Sequence, residues 1–330
     1  MSKQDEHLWN PAAPEDPEVA RLAALLSPLK HDRPLDELRL RRPRSRAPWI
    51  IGISIAVAAA AVLAFVLRTA GTPQPELACA GTRGFAFTAQ GGTVACGGTP
   101  TARGVLPVGG VLETGAHEAE LAIADIGSAT LGAGTRVRLD RTSAERHQLF
   151  LERGRLHARV SAPPRIFAVA TPSVAVVDLG CEYTIDIDEH GAGSIEVRTG
   201  RVELEAAAGI VIVVPAGAHA RLLSGRRASL PLVAGASLAL VAAVAAFDGG
   251  ASGAPAQVLA AAAPADALTV IHLALLVGAP ERRAVLERLM DLAPAPAGAT
   301  VEQVLVEPAR FDAWLEDIVL TVELGDPRLR

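Results

Sequence analysis

The sequence predicts a mainly β extracytoplasmic domain followed by a small α-helical C-terminal domain, with one transmembrane helix ahead of both. Three observations predict it: an uncharged run at Trp49–Leu67, strict alternation of apolar and polar residues between about Ala78 and Gly217, and apolar residues at helical spacing after residue 265. In order, the segments are a cytoplasmic tail (1–46), the transmembrane helix (47–68), a linker and start of the β-domain (69–105), the β-domain (106–223), an Ala-rich connector (224–264) and the helical domain (265–330).

The tail opens with polar residues. Asp16-Pro17-Glu18 then offers an N-cap and a proline at the first helical position. Val19, Leu22, Leu25 and Leu26 follow on one helical face, and Pro28 closes the run. A stripe this short cannot fold alone, so it either docks on a partner or lies on the membrane; these four residues are the candidate partner-binding set. Trp49–Leu67 has 19 residues without a charge, a helix of roughly 28 Å against a hydrocarbon core of ~30 Å. Six arginines between Arg33 and Arg46 stand before it, against Arg68 and Arg83 after it. The positive-inside bias therefore places the tail in the cytoplasm and the bulk of the chain outside.

Beyond the linker Gly71–Pro75, alternation marks the strands. Leu121 and Ile123 share a face, as do Val137 and Leu139, and Leu149 and Leu151. Glu152-Arg153-Gly154 reads as a turn, after which Leu156, Ala158 and Val160 oppose Arg155, His157 and Arg159. Tyr183, Ile185 and Ile187 oppose Thr184, Asp186 and Asp188, and Ile195–Thr199, Val202–Leu204 and Ile210–Val214 continue the pattern. In the last third, Asp266 caps a helix through Val277, Pro280 opens a second, Thr300 and Gln303 form a capping box, and Pro308 starts a helix bearing Phe311, Trp314, Leu315 and Ile318. Pro231–Phe247, 17 uncharged residues, has two readings, a connector or a second span.

Composition narrows the function. Net charge is −5 and only two lysines occur, so no concentrated basic face for nucleic acid is expected. No Gly-rich phosphate loop and no nucleophile elbow is present, and His117-Glu118 lacks the second histidine of a zinc-protease helix. No enzyme, cofactor or metal site is expected. Asp186, Asp188 and Glu189 read as a solvated face beside a hairpin. Cys79 and Cys96 are the candidate disulfide, worth ~3 kcal/mol in a chain-entropy model. Cys181 is expected to be a buried free thiol.

The chain from Leu106 to about Leu223 resembles the periplasmic domain of the FecR family, the ferric-citrate-regulator type of membrane sensor. The pieces are Glu113-Thr114-Gly115, Leu121–Gly127, Leu149–Leu156, Phe167–Pro172, Val176–Tyr183, Val197–Val202 and Pro215-Ala216-Gly217, in the family's order. Gly180-Cys181 departs from the family's Gly-Thr. The resemblance implies a β-solenoid or β-roll and a sensor in the bacterial inner membrane that relays an envelope signal to a cytoplasmic partner, a sigma factor. The alternative is an anchored envelope scaffold whose partners are envelope proteins. The His-x3-Cys-x2-Cys motif of zinc-type anti-sigma factors is excluded, because no cysteine precedes Cys79.

Overall fold

The computed structural model describes Cys79 and residues 83–325, apart from residues 207, 208, 226 and 294. The stripe Val19, Leu22, Leu25 and Leu26 and the run Trp49–Leu67 lie outside the described residues. Among those described, no helix is long and apolar enough to cross a membrane.

Two sheets carry the β-domain. Sheet A runs β4 (Arg103–Leu106), β1 (Phe85–Gln90), β6 (Glu118–Ile123), β7 (Gly127–Leu131), the second half of β9 (His147–Val160), β12 (Glu182–Ile187), β13 (Gly193–Thr199) and β16 (Ala218–Leu223). β17 (Arg227–Ala228) and β18 (Leu232–Val233) close its far edge. Sheet B runs β3 (Thr99–Thr101), β2 (Val94–Cys96), β5 (Val111–Glu113), β8 (Arg136–Thr142), the first half of β9, β10 (Phe167–Ala170), β11 (Ala175–Asp178), β14 (Arg201–Glu205) and β15 (Val211–Pro215). Every pairing but the parallel β9–β10 is antiparallel. The chain therefore winds between the layers largely as hairpins: β6–β7 in sheet A, β8–β9 and β10–β11 in B, β12–β13 in A, β14–β15 in B. The expected mainly β domain with a helical C-terminal region is present, and parallel pairing, which a solenoid would repeat, is confined to β9–β10 among the described strands.

Alternation decides the core, as period-2 geometry requires. Leu121, Leu156, Tyr183, Ile185 and Ile195 from sheet A meet Leu112, Leu139, Leu149, Val202 and Val214 from sheet B in one buried cluster. With aromatics at 3 % of the chain, this interior is almost wholly aliphatic. Cys79 and Cys96 form a disulfide with Cα atoms 5.7 Å apart, which pins residue 79 to β2.

Residues 152–154 do not form the expected turn. β9 runs straight through them and bends instead at Gly154, whose φ of +94° suits glycine. An added Cβ there would lie 2.4 Å from Thr135 Cα. The bend inverts the inward parity, so Leu149 and Leu151 face the core before it and Leu156 and Ala158 after it.

Six helices follow: α1 (Leu238–Asp248), α2 (Ala254–Ala261), α3 (Ala267–Leu276), α4 (Ala279–Leu292), α5 (Val301–Val306) and α6 (Pro308–Glu323). α1 overturns the second-span reading of Pro231–Phe247. It has 11 residues, about 16 Å, and cannot cross ~30 Å of hydrocarbon. Ser237 caps it by accepting from Leu240 N–H. The Thr300–Gln303 capping box is present on α5. Phe311, Trp314 and Ile318 of α6 are buried.

The helical module docks on the open edge of sheet B, with α6 packed against β15. There the Val213 backbone N–H donates to His272 Nε2 (3.0 Å), and His272 Nδ1 donates to the Leu268 carbonyl (2.8 Å). Thr269 donates to the Pro231 carbonyl (2.6 Å), and Arg201 pairs with Glu316 (2.8 Å).

Candidate functional site

The bend in β9 is held from beneath by two buried threonines. Thr135 Oγ1 accepts from Arg155 N–H and donates to the Arg155 carbonyl, both at 3.0 Å. Thr114 Oγ1 in turn accepts from Thr135 N–H (2.9 Å) and donates to the Gly132 carbonyl (2.6 Å). These bonds satisfy backbone groups that the bend removes from the ladder, as buried polar groups demand.

Beside the bend lies an open groove of about 580 Å³. Gly132, Gly154 and Gly193 line it together with Glu118, Arg155, Asp186 and Asp188. Arg155 Nε donates to Asp186 Oδ1 at 2.8 Å across the β9–β12 register. Asp188 Oδ1 accepts from His190 and Ala192 N–H groups, closing its own turn. The neighbouring recess is lined by Glu152, Arg153 and Glu189. There Glu113 bridges Arg136 (2.9 Å) and Arg153, and Arg136 reaches Glu152 (3.1 Å).

The rest of sheet A's outer face continues the same chemistry. His157 meets Thr184 (3.0 Å) and Glu182 (3.3 Å), and Arg159 also pairs with Glu182 (3.2 Å). The Arg159 hydrogen bond lowers the Glu182 carboxyl below its usual range. The groove thus offers carboxylates and one guanidinium on a glycine floor, an arrangement for hydrogen-bonding a polar or basic ligand. Among the described residues no cluster of metal-ligating side chains occurs.

A second polar cluster is closed to solvent. Cys181 Sγ–H donates to Asp178 Oδ2 (2.9 Å), and Gly180 N–H donates to Asp178 Oδ1 (2.6 Å). Burial pushes the Cys181 thiol, the Asp178 carboxyl and the Tyr183 phenol upward. The thiol is a neutral donor rather than a nucleophile.

The Asp186, Asp188 and Glu189 cluster therefore divides: Asp186 forms an ion pair and Asp188 a turn cap, both lining the groove, and Glu189 lines the neighbouring recess. Sequence reading missed Thr114, Thr135 and Glu118 as site residues. The parity change between Leu151 and Leu156 was the signal for the bend that they surround.

All the groove residues fall inside a single matched segment. Residues 110–203 match the FecR protein family. That FecR segment runs from just before β5 into β14 and contains the whole of β9. Among solved structures, the chain is similar to two crystal structures of a candidate anti-sigma factor from Parabacteroides distasonis. Identities are 19 % and 20 %, with TM-scores of 0.33 and 0.32. The alignments cover 40 % and 39 % of this chain and 63 % and 60 % of those chains. The chain thus spans under two thirds of their length. No curated protein matches it.

Proposed function

We propose that the chain is a single-pass sensor of the bacterial inner membrane, with residues 1–46 inside and the FecR segment and helical module outside. The FecR segment receives an envelope signal at its polar groove, and the stripe Val19, Leu22, Leu25 and Leu26 passes it to a cytoplasmic sigma factor. The observation that carries this reading is the FecR match over residues 110–203. The uncharged run at Trp49–Leu67 and the arginines before it support the topology.

The test is co-purification of the full chain from solubilised membranes. A sigma factor should accompany the wild type and be lost from the Leu22→Asp/Leu25→Asp variant at an equal membrane level of chain. A wild type that brings down envelope proteins and no sigma factor makes the chain a scaffold instead. Reporter fusions at residue 30 and residue 150 should report opposite sides of the membrane.

A further inference from the structure

The helical hairpin α1–α2 has an outer surface that stands apart among the described residues. From Pro231 to Ala265, 35 residues, the only ionisable side chain is Asp248, in a chain that is 20 % charged overall. That one carboxylate is hidden: it is 3 % exposed, and Arg221 (2.7 Å) and Ser229 (2.7 Å) both bind it. The inward face of α1 is accounted for by Leu240, Ala243 and Val244. Its outward face is Leu238, Ala239, Val241, Ala242 and Ala245, with Leu238 88 % exposed. An apolar helix face left in water at this degree of exposure marks a contact surface.

The disulfide narrows the choice of occupant. It fixes Cys79 to β2, so only residues 68–78 separate the apolar run from the folded domain. Eleven residues reach at most ~40 Å whatever their conformation. A domain of this size is on the order of 45 Å across. On the anchored reading proposed above, on which this inference rests, a bilayer is always within one domain diameter. Tethering at that range also supplies an effective concentration on the order of millimolar, so a small apolar face suffices for docking. A protein partner's interface carries a polar rim; the exposed face of α1 itself carries no charge, and the arginine beside its end, Arg221, is engaged with Asp248. We infer that the outward face of α1 lies on the lipid surface of the membrane that anchors the chain, as an interfacial helix rather than a span.

The full chain in vesicles of phosphatidylcholine and phosphatidylglycerol tests this, with an environment-sensitive dye on single introduced cysteines and a nitroxide quencher on the lipid tails. Cys181, 2 % exposed, is shielded from the dye. Dye on A242C, and on I51C within the apolar run, should lose most of its fluorescence to the quencher. Dye on A144C, in the exposed β8–β9 turn, should keep it. Adding Leu238→Glu and Val241→Asp, both at exposed positions, should restore the A242C signal without shifting Tm. Quenching at I51C but not at A242C overturns the docking and leaves the anchor standing. No quenching at I51C removes the anchor and the docking with it. Equal quenching at A144C makes the contact non-specific, and cross-linking between A242C chains without lipid quenching makes the face a contact between copies; either result overturns the inference.

Discussion

The polar groups buried in the β-domain hold its own backbone, as Thr114 and Thr135 hold the bend in β9 and Asp178 holds Gly180, whereas in the helical module buried His272 and Thr269 reach out to Val213 and Pro231, and the α1–α2 surface is uncharged. In the middle of each sheet a strand bonds to a strand on either side, so aliphatic side chains fill most of the interior and charges pair across the outer face, as Arg155 does with Asp186 and Arg159 with Glu182. The helical module faces a different demand, because it covers β15, whose outer backbone groups have no further strand. An aliphatic cover would leave Val213 N–H unpaired; a neutral imidazole answers it at 3.0 Å. Buried polar groups thus stand where the backbone leaves its ladder, at the bend and turns inside the β-domain and at the sheet edge that the helices finish.

The largest effect that sharpens this contrast is expected at Trp314, fully buried on α6. Trp314→Ala should cost about 3–5 kcal/mol through lost burial and the cavity left behind. Urea unfolding of the chain followed by circular dichroism reads it. If the seam couples the two regions, sheet and helix signals move together; separate transitions would make the module an independent unit.

His272 should show next. Burial lowers its pKa to about 4, against ~6.5 in an unfolded chain. The unfolded state then binds more protons between those values, so the stabilisation is complete above about pH 6.5 and is lost as pH falls toward 4. The loss approaches about 3 kcal/mol. Asp178, raised by burial, works in the opposite sense. The relevant measurement is therefore the difference between wild type and His272→Gln at pH 7 and pH 4.5, and a difference that does not change with pH breaks the account of the edge.

The smallest effect belongs to the outer face. Arg155→Ala removes a pair whose partners are 65 % and 42 % exposed, so stability should fall by no more than about 1 kcal/mol. A loss of several kcal/mol on chemical denaturation would mean that the β-domain depends on its exposed charge pairs as well as on its buried polar groups.

Most strands were legible because one face of each is buried, which forces a period of two onto the sequence. Leu121 to Ile123 and Tyr183 to Ile187 read correctly for that reason, and the last two long helices for the corresponding period on α4 and α6. The bend at Gly154 was mistaken for a turn because Glu-Arg-Gly looks alike in both; only the pairing of β9 with four different strands distinguishes them. The hairpin α1–α2 was obscured by its composition. With alanine on every side, a helix leaves almost no periodic signal, and its lack of charge imitates a span. The groove was hidden for another reason: Glu118, Gly132, Arg155 and Asp186 converge only through the register of β6, β7, β9 and β12, which no local pattern states.

Because β9 belongs to both sheets, neither can be completed until the chain up to residue 160 is free to fold. Until then β7 and β8 each wait for the same missing neighbour, and a chain halted there would present two open edges at once, one from each layer. Once β9 is in place, it offers β10 and β12 a template on either side of its bend. One fourteen-residue strand therefore acts as the checkpoint of assembly, before which the nascent chain is sticky and after which each new hairpin has somewhere to go.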